Sequence, residues 1–371
     1  MSQLLIKKIE LYPSEIPLKA PFITSLEQLE YAANVIVRIH TNHGFIGYGE
    51  CSPFKTINGE SMETGMAVGQ YLAKALLRQN PLDLEACSAL MDKAIYGNSS
   101  IKSALDMALF DLAAQQAGLP LYAFLGGNNR KPLVTDYTVS LDEPSKMAQD
   151  ALQIKEAGFS VIKVKLGAGD GRDVERIRLI REVIGEKIPL RIDANQGWNV
   201  PTAISTLQAL APYHIQHCEE PIPRWLFMDL PKIKAQSPIP IMADESCCDH
   251  HDAQRLIALD ACTSFNLKLG KSSGLLKAQK IVKLAEEAGM EMQVGGFLES
   301  RLAFTASAHL ALSSDRIVYF DFDTPLMFAQ DPVVGGMSYL KNGTIKMPEV
   351  PGLGASFDAS YLESLEKVVI E

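Results

Sequence analysis

From residue 133 to residue 323 the chain repeats one unit: a short apolar run, a turn, an amphipathic helical stretch, then the next apolar run. The runs fall at 133–141, 160–166, 190–195, 215–220, 239–246, 264–270, 291–297 and 317–323, a period near 25 residues without strict sequence repetition. Helical periodicity fills the intervals, as at 145–157, 172–184, 203–210 and 275–288. Parallel strands need crossovers of helix length, whereas antiparallel neighbours are joined by tight turns. Eight such units predict a closed parallel barrel in the α/β class. An open doubly wound sheet is the alternative, disfavoured by the number of strands.

The flanks have a different texture. Residues 4–11, 33–40 and 45–50 read as strands, the last two joined by the turn Asn42-His43-Gly44. Helices are predicted over 62–77 and 101–116, where Leu105, Ala108, Leu109 and Leu112 recur at i, i+3, i+4 and i+7. Gly118 and Pro120 end the second helix, and Gly126-Gly127-Asn128-Asn129 reads as a linker. Beyond the barrel a hairpin is expected over 337–347 with Asn342-Gly343 at its turn. The expected division is an α+β capping domain at 1–127, a barrel at 128–325, and a tail at 326–371 that packs on the cap.

Strand side chains alternate between faces, so each run splits by parity. Ile162, Val164 and Leu166 make an apolar face for the helices, and Lys163 and Lys165 take the other. Leu190, Ile192 and Ala194 oppose Arg191, Asp193 and Asn195. The same parity selects Glu219, Asp244, Lys268, Asp321 and Asp323 on later runs. In a barrel this second face points inward, and active sites sit at the C-terminal strand ends. Lys165, Asp193, Glu219, Asp244 and Lys268 follow one another at intervals of 28, 26, 25 and 24 residues. One such charge is unremarkable at a strand end. A set in this register must neutralise itself or hold an ion, because unpaired buried charge costs several kcal/mol.

Asp193, Glu219 and Asp244 offer three hard oxygen ligands from adjacent strands, with no His or Cys among them, which suits Mg²⁺ or Mn²⁺ and not zinc. Lys165 and Lys268 lie four strands apart in a ring of eight and therefore face each other across the mouth. A carboxylate substrate held between them exposes its α-carbon to a lysine on either side. Lys163 adds like-charge repulsion that would lower a neighbouring lysine's pKa. Opposed bases permit racemisation or epimerisation, and the same geometry serves β-elimination and cycloisomerisation.

Lys163-Val164-Lys165, Asp193-Ala194-Asn195, Glu219-Glu220-Pro221, Ala243-Asp244-Glu245-Ser246 and Lys268 resemble the motifs of the enolase superfamily, muconate-lactonizing subgroup. The resemblance runs the length of the chain and implies a (β/α)7β TIM-like barrel under an α+β cap. It implies that Lys165 and Lys268 are the acid/base pair, that Lys163 assists and touches substrate, and that Asp193, Glu219 and Asp244 bind Mg²⁺. Asn195 and Glu245 are expected behind the ligands. Asp321-Phe322-Asp323 resembles the Asp-x-Asp motif of dipeptide epimerases of the L-Ala-D/L-Glu type. Two carboxylates on one face suit the ammonium group of a free dipeptide, and would repel the succinyl group handled by o-succinylbenzoate synthases and N-succinylamino acid racemases.

Side-chain preference is expected from the cap segments 17–27 and 51–60. The first contains no Arg to clamp a glutamate, only Lys19, so a small or hydrophobic second residue is expected, lined by Phe22, Ile23, Thr24 and Phe54. Thirty-five basic against 44 acidic residues, with no basic cluster, argue against nucleic acid. No apolar run reaches membrane-spanning length, and six cysteines at no zinc spacing read as reduced thiols. A cytoplasmic homo-oligomer acting on a small molecule is expected.

Four further features carry less. Gly167-Ala168-Gly169-Asp170-Gly171 reads as a strand-to-helix turn, since Asp170 opposes phosphate. His250-His251 beside Cys247-Cys248 reads as a surface loop, His309 as a packing residue, and Glu299 is placed near the mouth without a role.

Overall fold

Two sheets organise the computed structural model, which describes residues 3–371. The first is antiparallel: β1 (Ile6–Ile23), β2 (Gln28–Thr41) and β3 (Ile46–Cys51). The strands expected at 4–11 and 33–40 are parts of one long hairpin that runs on through Pro13 and Pro17. Its ladder breaks between Pro17 and Phe22, where prolines at 17 and 21 offer no N–H, then resumes with Phe22 opposite Leu29. The segment expected as a loop at 17–27 is thus the far end of the hairpin, and Thr24–Glu27 alone turns, closed by the Thr24 N–H on the Glu27 carbonyl at 3.1 Å.

The helix Ser99–Ala117 packs on β3 so closely that only glycine fits the strand. A Cβ at Gly47 or Gly49 would lie 2.1 or 1.9 Å from the Ala108 or Ala104 carbonyl oxygen. Its opposite side meets the barrel, which is why it is buried nearly all round, Lys102, Asp106 and Asp111 included. A helix absent from the sequence reading, Leu84–Ala94, is capped by Asp83 and buries only Cys87, Ser88 and Met91. So thin an apolar stripe leaves a weak periodic signal.

After β4 (Leu133–Val134) comes the barrel: β5 (Tyr137–Val139), β6 (Ile162–Lys165), β7 (Leu190–Asp193), β8 (Ile215–Glu219), β9 (Ile241–Ala243), β10 (Ser264–Leu267), β11 (Glu291–Val294) and β12 (Ile317–Phe320). All eight expected strands are present, parallel, and neighbours in strict chain order. That order curls one sheet round on itself and removes the doubly wound alternative, which needs a reversal of strand order. The first strand is shorter than expected because Leu133–Val134 diverts into another sheet. Parity holds: Ile162, Val164, Leu190 and Ile192 join the apolar layer under the helices.

The tail comprises β13 (Val333–Gly335), β14 (Ser338–Tyr339), β15 (Thr344–Lys346), β16 (Ala355–Phe357) and β17 (Val368–Ile370). β17 adds an edge to the capping sheet, Ile370 opposite Ile9. The expected hairpin forms between β14 and β15, with Asn342 (φ +63°) and Gly343 (φ +73°) at its turn. It pairs with β4 and so lies at the barrel's entry rather than on the cap. Buried carboxylates tie cap to barrel at helix N-termini: Asp106 accepts the Leu275 N–H at 2.6 Å, and Glu50 the Ser300 N–H at 2.9 Å.

His309 is a packing residue, buried in the helix Arg301–Ala311. Its Nδ1 accepts the Tyr122 N–H at 3.0 Å and its Nε2 lies 3.1 Å from the Leu353 carbonyl, an arrangement for the neutral ring. Burial pulls its pKa from 6.5 down to about 4. The unfolded chain therefore binds the proton more tightly, so this contribution to stability is full above pH 6.5 and lost as pH falls towards 4. His309→Gln is expected to remove about 3 kcal/mol of the stability difference between pH 7 and pH 4, read from urea unfolding. Parallel losses in variant and wild type would contradict this.

Candidate active site

The C-terminal ends of β6 to β10 gather the predicted charges. Lys165 lies opposite Asp193, and Asp193 opposite Glu219, in the strand registers. Asp193, Glu219 and Asp244 are fully buried, and their oxygens lie within 4.8 Å of one another. Lys165 Nζ donates to Asp193 Oδ2 at 2.7 Å. Lys163 Nζ donates to Glu219 and Asp321 at 2.8 Å each and lies 3.4 Å from Asp193. Lys268 Nζ is 2.7 Å from Asp244 Oδ2 as an ion pair, but off-angle, so that oxygen carries no hydrogen bond.

A fourth lysine, Lys271, escaped the sequence reading. It reaches Asp244 Oδ1 and the Asp244 carbonyl, and donates to the Asn266 carbonyl at 3.0 Å. Strand parity ends at Lys268, and the short helix Leu269–Ser272 brings Lys271 back beneath the mouth. Four lysines thus balance Asp193, Glu219, Asp244 and Asp321. Burial works to raise Asp193, yet Lys165 and Lys163 hold it below the ordinary carboxylate range. Burial would likewise lower Lys163 and Lys268, but the facing carboxylates win and raise both. Lys163 therefore does not act on its surroundings as a bare repulsive charge, as the sequence suggested; its ammonium is compensated by three carboxylates.

Asn195 and Glu245 lie beside the carboxylates. The Asn195 N–H donates to Asp193 Oδ1 at 2.8 Å, and its side chain reaches Glu245 at 3.3 Å. Burial, then the charge of Asp244, pushes Glu245 well up. Glu220, Asn266 and Gln293 join them without having been singled out: Glu220 accepts the Asp244 N–H at 2.7 Å, and the two amides donate to Glu219 at 2.8 and 3.1 Å. Asn195 (φ +40°) and Glu220 (φ +32°) hold left-handed backbone at the strand ends, a strain of roughly 1–2 kcal/mol each that clusters at functional sites. A buried set of three carboxylates without nitrogen or sulfur, one oxygen of it lacking a hydrogen bond, fits a hard divalent cation.

One cavity at the mouth is lined by both Lys165 and Lys268, by Asp321 and Asp323, and by Phe22 and Thr24 from the cap. Lys163 pulls Asp321 down to about 2 against the effect of burial, whereas burial and the charge of Asp321 push Asp323 up to about 7. Asp323 accepts the Thr138 N–H at 2.6 Å. Phe22 lies 5.8 Å from Lys165 Nζ, and Phe297 5.1 Å from Lys268 Nζ. Phe54, Ile57, Leu26 and Leu298 complete the apolar wall. Ser25, unremarked in the sequence, pins the hairpin tip to the mouth by donating to the Asn195 carbonyl at 2.8 Å.

Some candidates lie elsewhere. Lys19 donates to the Leu326 carbonyl at 2.8 Å and does not line the mouth cavity. Ile23 alternates to the other face of β1, towards Tyr137 and Phe159. Glu299 binds the Phe297 N–H, and burial with the charge of Glu50 raises it to about 8. His250 and His251 open the helix His250–Ala258 rather than a loop, their rings 4.1 Å apart, and belong to neither carboxylate cluster able to hold a metal among the described residues, Asp193, Glu219 and Asp244 or Asp136, Asp321 and Asp323. Asp170 pairs with Arg176 at 2.7 Å within a strand-to-helix turn, as expected.

Comparison with known proteins agrees with this geometry. Residues 7–126 match the mandelate racemase / muconate lactonizing enzyme N-terminal domain, and 146–361 match the enolase C-terminal domain-like family. A D-Ala-D/L-Ala epimerase of Cytophaga hutchinsonii is 62% identical, covering 99% of this chain and 100% of its own. The crystal structure of a dipeptide epimerase from that organism, complexed with Mg and D-Ala-L-Val, superposes with a TM-score of 0.98 at 62% identity over 99% of this chain and 100% of its own. An N-succinyl Arg/Lys racemase from Bacillus cereus superposes at 0.95 with 31% identity over 99% and 100% of the two chains. The chain belongs to the mandelate racemase / muconate lactonizing enzyme family of the enolase superfamily.

Proposed function

We propose that this protein is a Mg²⁺-dependent dipeptide epimerase, inverting the α-carbon of the C-terminal residue of a free Ala-Xaa dipeptide with a small or hydrophobic Xaa. The observation that carries the reading is the shared cavity: two carboxylates, Asp321 and Asp323, open into the same space as the opposed lysines Lys165 and Lys268. The high TM-score of the N-succinyl racemase means that fold does not separate the two substrate classes, and the alternative is an o-succinylbenzoate synthase or N-succinylamino acid racemase. A paired-carboxylate site favours an ammonium group and disfavours a succinyl carboxylate, so the charge at β12 supports the dipeptide.

In this reading Asp193, Glu219 and Asp244 hold the ion. Mg²⁺, when bound, supplies positive charge that stabilises the negative charge developing on the substrate carboxylate. Lys165 or Lys268, in its neutral form, removes the α-proton; the C–H electron pair passes into the carboxylate to give an enediolate. The opposite lysine, protonated, returns a proton to the other face, so the two side chains exchange protonation states in each turnover. Lys163 neutralises Glu219 and Asp321 beside the reacting carbon. Asp321 and Asp323 orient the ammonium group. With Lys19 engaged elsewhere, no arginine among the described residues lines the mouth cavity for an acidic side chain, which supports a wall of Phe22, Phe54 and Leu298 around an apolar one. The same reading places the enzyme, a homo-oligomer, in the cytoplasm, where its six free cysteines stay reduced.

The test is incubation with Mg²⁺ and a library of free dipeptides in D₂O, reading deuterium at the second α-carbon by mass spectrometry. Incorporation into Ala-Xaa with small or apolar Xaa is expected. Turnover of an N-succinyl amino acid with no dipeptide labelled would overturn the reading.

A further inference from the structure

The barrel closes without a ladder between its first and last strands. β5 and β12 stand at the two ends of the hydrogen-bonded order, and one backbone bond joins this seam, from the Asp136 N–H just before β5 to the carbonyl of Phe320, the last residue of β12, at 3.2 Å. Beyond it lies Asp321-Phe322-Asp323, the segment that carries both mouth carboxylates. The Phe322 backbone is buried, so its N–H and carbonyl need partners that no neighbouring strand supplies. Side chains take that place. Thr135 Oγ1 accepts the Phe322 N–H at 2.8 Å, and the Tyr339 hydroxyl donates to the Phe322 carbonyl at 2.5 Å. Arg191 reinforces the seam, donating to the Phe320 carbonyl at 3.1 Å and to Asp136 at 2.7 Å.

The two partners reach the seam together. Tyr339 stands on β14 of the tail hairpin, whose β15 pairs with β4, and Thr135 follows β4 directly with its N–H on the Gly343 carbonyl at 2.9 Å. The hairpin is thereby a brace on the eighth strand. Phe322 itself points outward and packs against Phe304, so a shift of its peptide would swing the inward carboxylates on either side of it.

We propose that Thr135 and Tyr339 are positioning residues that hold both polar groups of the Phe322 backbone and so aim Asp321 and Asp323 at the substrate's ammonium group. This rests on the dipeptide reading above. The tail then contributes to substrate selection without touching the substrate.

The experiment compares steady-state kinetics of Thr135→Val, Thr135→Ser, Tyr339→Phe and Asp321→Asn on one labelled free dipeptide, with thermal midpoints measured in parallel. Tyr339→Phe keeps the side-chain shape and removes only the bond to the Phe322 carbonyl; Thr135→Val keeps the shape and removes the bond to the Phe322 N–H together with the hydroxyl's donation to the Asp136 carbonyl at 2.9 Å. Each is expected to raise KM about fivefold or more with kcat little changed, and Thr135→Ser to restore the wild-type KM. A lowered midpoint with KM unchanged in both would reduce the two residues to ordinary stabilising contacts and overturn the proposal. Asp321→Asn separates the premises. If it raises KM while the seam variants do not, the brace alone fails; if it leaves KM unchanged, the ammonium reading fails and the brace falls with it.

Discussion

Lys165→Ala and Lys268→Ala are each expected to abolish epimerisation, a loss of about 10³-fold or more, while each variant keeps one half of the chemistry. With a lysine on either side of the α-carbon, each residue serves one configuration as base. The variant that retains Lys268 should still wash deuterium into the epimer whose α-hydrogen faces Lys268, and the variant that retains Lys165 into the other. Exchange without inversion, with opposite stereochemical preference in the two variants, is the signature. Both lysines line one cavity from strands four places apart in the ring, which is the geometric basis for the assignment. Loss of exchange from both epimers in one variant would reassign the other lysine to an electrostatic role. Circular dichroism controls for folding, because Lys165→Ala leaves Asp193 with Lys163 alone at 3.4 Å.

Asp193→Asn is expected to be comparably damaging through the ion. Three carboxylates within 4.8 Å make a site of charge −3, and amide replacement leaves two with a weaker neutral oxygen. Wild-type protein should show a thermal midpoint that rises with added Mg²⁺ and falls on chelation, since a ligand bound only by the folded state stabilises it by mass action. The variant should lose most of that response along with activity, by about 10³-fold or more. A midpoint in the variant that still responds to Mg²⁺ as in the wild type would place the ion elsewhere. The thermal readout matters, because lost activity alone does not distinguish a missing ligand from a misplaced Lys165, which donates to the same carboxylate.

Much of the barrel and its charged face was open to reading from the chain alone. Alternation with period two and crossovers of helix length are properties of windows shorter than 30 residues, so they survive without knowledge of any distant partner. Parity therefore placed Lys165, Asp193, Glu219, Asp244, Lys268, Asp321 and Asp323 on the inward face before any contact was known. It went wrong where a segment serves two structures. Residues 133–141 look like one strand, but the ladder with β15 claims the first pair and the barrel claims Tyr137–Val139. Prolines concealed the long β1 for a similar reason: they remove donors locally, while Phe22 and Ile23 regain partners on β2.

What the amino-acid order determined by itself is the set of inward charges and the element sequence that stacks them, because backbone periodicity is a local property. What only the tertiary structure decided is how those charges are satisfied and aimed. Lys271 reaches Asp244 after a turn, Ser25 reaches the Asn195 carbonyl across 170 residues, and Thr135 reaches the Phe322 N–H across 187. The same closure turned Lys19 and Ile23 away from the mouth and brought the tail hairpin to the seam. Such contacts exist only once eight strands have closed into a ring, since ring closure, not residue type or spacing, sets which distant backbone groups are left needing partners.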